Sequence, residues 1–102
     1  MTTMIPDLLT VVAEMLAKPG KEEALRAQLL ALVEPTRKEE GCVQYDVHQS
    51  TDEAGRFVFY ENWTSRAMLE RHLQSPHLTA FLAVSGELLA EPARVVTYTR
   101  MA

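Results

Sequence analysis

The hydrophobic period of this chain switches from two to 3.6 and back, and then does so again. Leu8 to Ala17 alternates as a strand rich in Leu and Val, stopped by Lys18-Pro19-Gly20. Glu14, the one charge inside it, reads as a solvated or edge position. Lys21 to about Glu34 reads as a helix, with Leu25, Leu29, Leu32 and Val33 on one stripe and Pro35 expected to end or kink it. The run Arg37-Lys38-Glu39-Glu40 reads as solvated surface before Gly41 turns the chain. Cys42 to Gln49 alternates again, with Val43, Tyr45 and Val47 on one face and Gln44, Asp46 and His48 on the other; His48 reads as an exposed, idle histidine.

The second half repeats the pattern. Ser50 to Gly55 is a hairpin loop leading into the central strand, Arg56 to Trp63. Thr64 or Ser65 caps a helix from Arg66 to about Gln74, which carries Leu69, His72 and Leu73 on one stripe. Ser75-Pro76 is a fresh start signal, a capping serine with proline in the first turn. The helix it opens runs until Glu91-Pro92, and Ala93 to Met101 closes the chain as a β-branched strand.

The order βαββαβ predicts an α+β fold, the ferredoxin-like plait, as a single domain spanning 1–102 with its core at about 8–101. Right-handed crossovers put both helices on one face of the sheet. Yet the central strand is apolar on both sides, with Phe57, Phe59 and Trp63 on one and Val58 and Tyr60 on the other. A second copy packing sheet against sheet solves this, so a homodimer through the helix-free face is expected. The competing account is a partly exposed antiparallel sheet with Tyr60 and Asn62 half wet.

Composition narrows the function. The net charge of −4, with no cluster of Lys and Arg, argues against nucleic acid and against anionic membranes. One cysteine, Cys42, forms no internal disulfide, which fits a reducing cytoplasm. One Cys and three scattered His predict no metal site. Met1 to Asp7 has no basic start and is interrupted by Pro6, so no signal peptide is expected. Ser/His/Asp order, Gly-rich phosphate loops and CxxC pairs are absent.

Five segments carry a resemblance. Val11-Val12-Ala13-Glu14-Met15, Lys18-Pro19-Gly20-Lys21, Glu39-Glu40-Gly41-Cys42, Glu61-Asn62-Trp63 and His72-Leu73-Gln74-Ser75-Pro76-His77 resemble the antibiotic biosynthesis monooxygenase domain, and within it the small quinol monooxygenases. The similarity runs from about Leu9 to Val96. It implies a dimeric α/β barrel of two ferredoxin-like protomers. It also implies oxidation of a quinol-like or polyphenolic aromatic by O₂ without metal, flavin or haem. A haem-degrading branch would place its haem-holding histidine at Leu82 and the assisting asparagine and tryptophan at Met15 and His72, and all three depart from its pattern. A branch that isomerises a phosphorylated signalling metabolite shares the strand glutamate and the Pro-His element, and remains an alternative, as does a non-catalytic small-molecule binder.

Such an oxygenase needs a base, a water-poor pocket and aromatic walls. His72, on the inward stripe, is the candidate base, or a structural histidine bonded to Glu61 or to backbone. Glu61 would orient it and set its tautomer, unless the carboxylate is paired to an arginine or faces a partner chain. Tyr45, Trp63 and Phe81 would wall a planar substrate, and His77 would meet an anionic group at a helix N-terminus. Met15 and Met68 would line an adaptable pocket. For the aromatics and methionines, ordinary core packing is the competing account, and for His77 it is surface exposure.

Overall fold

A computed structural model describes residues 7–102; the reading of Met1 to Pro6 lies outside them. The elements are β1 (Leu9–Leu16), α1 (Glu22–Arg37), β2 (Cys42–Gln49), β3 (Arg56–Trp63), α2 (Arg66–Leu73), α3 (Pro76–Leu88) and β4 (Arg94–Thr99). The strands form one open sheet in the order β2-β3-β1-β4, each neighbour antiparallel to the next. This is the ferredoxin-like plait. No helix among the described residues is long and apolar enough to cross a membrane.

Period-two alternation sorts the sheet into two faces. Val11, Ala13 and Met15 of β1 and Phe57, Phe59, Glu61 and Trp63 of β3 are buried against Leu25, Leu29 and Leu32 of α1, Leu69 of α2 and Phe81 of α3. Glu61 therefore faces the helices. The opposite face is open: Tyr60 and Tyr98 are exposed, and Val12, Val58 and Val96 are only half-buried. Asn62 is buried there by a polar chain. The Thr10 hydroxyl donates to Asn62 Oδ1 at 2.6 Å, and Asn62 Nδ2 donates to Gln44 Oε1 at 2.9 Å.

Two boundaries differ from expectation. Helix α1 runs through Pro35 to Arg37. Proline costs one backbone hydrogen bond, but the last turn has tertiary anchors. Thr36 is fully buried, and Arg37 donates from Nε to the Tyr45 carbonyl at 3.1 Å and from its terminal nitrogen to Asp46 at 3.0 Å. In β2 the register against β3 shifts between Cys42 and Gln44. The extra residue is Val43, which turns outward and is 55% exposed, while Cys42 packs on the core in its place. Val43 thus does not share the inward face of Tyr45 and Val47.

The helix starts follow local chemistry. The Ser65 hydroxyl accepts from the Met68 amide at 3.2 Å and opens α2. Ser75 accepts from the Leu78 amide and Pro76 sits in the first turn, opening α3 only three residues after α2 ends.

Gly41 holds the turn between α1 and β2 at φ +84, and a Cβ there would overlap Cβ and Cγ of Met68. Gly20 has φ +85 but faces open space. Gly41→Ala is expected to destabilise the protein by roughly 1–3 kcal/mol, and by more than Gly20→Ala. Urea denaturation of the two variants measures the difference, which isolates the cost of pushing α2 away.

Candidate functional site

Between the helices and the sheet lies a cavity of about 310 Å³. Its floor is Val11, Ala13 and Met15 of β1, Tyr45 of β2, and Phe59 and Glu61 of β3. Its roof is Leu32, Leu69, His72, Leu73, Leu78, Phe81 and Leu82, with Ala93 and Val95 at the β4 side. The size is that of a small-molecule pocket. Arginine and lysine are absent from the lining.

His72 is 3% exposed and sits on α2 with its ring over the indole of Trp63, centroids 4.8 Å apart. The Tyr45 ring meets it edge-on at 5.5 Å. Nδ1 lies 2.7 Å from Glu39 Oε2, and the same oxygen lies 2.8 Å from His77 Nε2. An ionised carboxylate only accepts, so each of these ring nitrogens carries the donated proton. With the proton of neutral His72 on Nδ1, Nε2 is left with its lone pair, and it makes no hydrogen bond to any described residue.

The orienting carboxylate is thus Glu39, not Glu61. Glu39 stands in a run with the charge pattern of solvated surface, and its side chain is instead mostly buried at the turn after α1. The turn is closed by Glu39 N–H donating to the Thr36 carbonyl at 3.0 Å and Cys42 N–H to the Glu39 carbonyl at 3.2 Å. Glu39-Glu40-Gly41-Cys42 was among the segments of family resemblance, and that was the one signal in the sequence that marks it. Glu40, its neighbour, reaches out to Arg71 at 3.4 Å.

Glu61 has a different partner. Trp63, two positions on and so on the same strand face, donates its indole N–H to Glu61 Oε1 at 2.9 Å. The other oxygen makes no hydrogen bond to a described residue. Burial pushes the Glu61 carboxyl up to about 7, with the Glu39 charge adding to the rise and the Trp63 bond opposing it. Burial also holds His72 below its ordinary value, against the opposing pull of Glu39. The Tyr45 phenol is raised, by burial first and then by Glu61.

Of the residues singled out from the sequence, His72, Glu61, Tyr45, Phe81 and Met15 line the cavity. Trp63 does not; it is fully buried behind His72 and Glu61. Met68 lies against Gly41 at the edge of the core. His77 is half-buried on Glu39 rather than free at the surface.

The histidines are also less scattered than expected, since donor atoms of Glu39, His72 and His77 lie within 4.8 Å of one another. Ligands around a tetrahedral zinc stand about 3.3 Å apart. The N–O separations of 2.7 and 2.8 Å are those of hydrogen bonds.

The pattern of the family described as antibiotic biosynthesis monooxygenase matches residues 8–84. Probable quinol monooxygenase YgiN of Escherichia coli is 35% identical over 100 residues, covering 87% of this chain and 96% of that protein. Uncharacterized protein sll1783 of Synechocystis is 36% identical over 92 residues, 90% of this chain; the match spans 63% of that longer protein. The crystal structure of PA3566 from Pseudomonas aeruginosa superposes with a TM-score of 0.91 at 37% identity, covering 98% of this chain and 100% of that one. By sequence pattern and by fold, the chain belongs to the antibiotic biosynthesis monooxygenase family.

Proposed function

We propose that the cavity is the active site of a cofactor-independent monooxygenase that oxidises a quinol-like or polyphenolic aromatic with O₂. The observation that carries this reading is the lining: apolar throughout except for Tyr45, His72 and Glu61, with no cationic side chain. A phosphorylated metabolite would leave its charge unpaired in such a pocket. A planar aromatic fits between the Phe59 and Tyr45 rings on one side and Leu69 and Phe81 on the other.

In this mechanism Nε2 of His72 takes a hydroxyl proton from the quinol. The imidazolium so formed is held against the Glu39 carboxylate. The quinolate passes one electron to O₂, and the radical pair joins through a new carbon–oxygen bond as a hydroperoxide. His72 returns its proton to the peroxide, and cleavage of the O–O bond with loss of the ring hydrogen, whose proton replaces the one given to the departing oxygen, leaves a hydroxyquinone and water. Quinol plus O₂ balances hydroxyquinone plus water, with all four electrons supplied by the substrate. Glu61, whose carboxyl titrates at about 7, supplies a proton to the departing oxygen from its unpartnered side. The apolar walls keep water from the intermediate.

The functional unit in this reading is a homodimer in the cytoplasm. Its support is the open sheet face with Tyr60 and Tyr98, and a β4 strand exposed on both faces although it is paired to β1. Light scattering at micromolar concentration is expected to return twice the chain mass; the mass of one chain overturns the dimer.

Oxygen uptake with a panel of quinols, after subtraction of the protein-free rate at each pH, tests the activity. His72→Ala is expected to lower kcat by roughly 10²–10⁴-fold with the fold retained. Parent activity is expected to rise with pH through a value below 6.5, since burial lowers the His72 pKa and only the neutral ring accepts a proton. Normal turnover by the variant removes His72 as base.

The stability of the protein carries the Glu61 signature with a definite sign. Its folded pKa is about 7 against 4.5 for the free group, so between these values the unfolded chain has released a proton that the folded one keeps. Rising pH in that window therefore costs stability, about 3 kcal/mol when complete. Glu61→Gln keeps an acceptor for the Trp63 N–H and has nothing to ionise. Its stability relative to the parent is expected to improve by about that amount from pH ~4 to pH ~8, as read by urea denaturation.

A further inference from the structure

Glu39 presents one oxygen to two imidazoles. His72 Nδ1 and His77 Nε2 both bond to Oε2, at 2.7 and 2.8 Å, and the two rings stand 6.1 Å apart. The two histidines differ in what they face. The His72 side chain is 3% exposed and its free nitrogen serves the cavity; the His77 side chain is 21% exposed and lies outside the cavity lining. The arrangement therefore runs from the cavity wall to solvent in three side chains.

We propose that His77 is a positioning residue that couples the protonation of His72 to solvent, by competing with it for the single charge of Glu39. One carboxylate neutralises one imidazolium. A proton that arrives on His72 from the cavity draws the carboxylate to that ring and drives release of a proton from the water-facing His77. Return of the proton from His72 to the reacting oxygen lets His77 take one up again. No bond other than N–H is made or broken, and the charge of the cluster is the same before and after each exchange. This rests on the reading of His72 as the base, and it explains how a base with almost no solvent contact is kept neutral between turnovers.

The other titratable groups do not offer the same route. Glu61 on β3 and Tyr45 on β2 face His72 from the cavity side and are themselves buried. Cys42 on β2 is raised to about 11 by burial and then by Glu39. Arg71 on α2 points away to Glu40 at the surface, and Arg37 on α1 is taken by Asp46. Of the groups around His72, His77 is the one with both a bond to the shared carboxylate and a face to water.

Two variants test this: His77→Gln, whose amide still donates to Glu39 but does not titrate, and His77→Phe, which does neither. The first readout needs no turnover. The ring-proton NMR shift of His72 followed against pH is expected to show two coupled inflections in the parent and one in His77→Gln, moved to higher pH because the competing cation is gone. The second readout is kinetic. In both variants kcat is expected to fall about tenfold, less than on loss of the base itself, with KM unchanged, and added imidazole buffer is expected to restore the rate. A His72 titration curve in His77→Gln that superimposes on the parent's overturns the coupling. So does a fall in kcat that imidazole does not restore, which marks a structural role. If the parent oxidises no quinol, the monooxygenase reading fails while the NMR titration still decides the coupling.

Discussion

Oxygen Oε2 of Glu39 ties three separate parts of the chain together at a single atom. It joins the turn after α1 to His72 on α2 and His77 on α3, across 33 and 38 positions of sequence. A mostly buried carboxylate is costly unless its hydrogen bonds are made. Here two ring N–H groups make them, and the short α2–α3 joint is what brings the rings to the same side. Ser75, which caps α3, also donates its hydroxyl to the His72 carbonyl at 2.7 Å. The cap thus ties the end of one helix to the start of the next and sets the angle at which both histidines approach Glu39. Gly41 completes the arrangement by letting Met68 of α2 lie against the turn backbone.

Burial acts on the two cavity groups in opposite chemical senses and with one result. It raises the Glu61 carboxyl and lowers the His72 imidazole, and both shifts favour the neutral form. An apolar pocket with two neutral, partly bonded titratable groups holds a proton acceptor and a proton donor at the same pH. Each group has one atom committed to the protein, Glu61 Oε1 to Trp63 and His72 Nδ1 to Glu39, and one left for the cavity. Trp63 serves both, donating to one and stacking under the other, although it does not line the cavity. Its place is behind the cavity wall, where a rigid ring restricts the two side chains that face the cavity.

The sheet is finished on one side only. Its helix face carries the core, whereas its other face carries Tyr60, Tyr98 and the Thr10–Asn62–Gln44 chain, of which Asn62 alone is buried. That chain satisfies the side-chain amide of Asn62, and the open face carries Val12, Val58, Tyr60, Val96 and Tyr98 together with the Glu14–Arg94 ion pair.

Much of the fold is legible in the residues because the rules that build it are local. The period-two runs of β1 and β3, the Pro19-Gly20 break, and the Ser65 and Ser75 caps are read over a few neighbours and reappear in the structure, whereas α3 stops at Leu88, ahead of Glu91-Pro92, where Leu89 bridges to Ala17. The same locality places Glu61 beside Trp63 on one strand face, and His72 on the buried stripe of its helix. What the residues alone left open depended on distant partners. The continuation of α1 past Pro35 rests on Arg37 reaching the Tyr45 carbonyl of β2, and the outward turn of Val43 rests on the register against β3. The side of the sheet that Glu61 meets was decided by where the helices pack. The partner of His72 was decided the same way. Glu39 stands in a run of four charged residues whose pattern is that of open surface, and only the closing of α2 and α3 over that turn takes it out of water. Sequence spacing carries hydrogen-bonding information over one or two turns of chain, whereas a carboxylate shared across more than thirty residues exists only once the tertiary structure has formed.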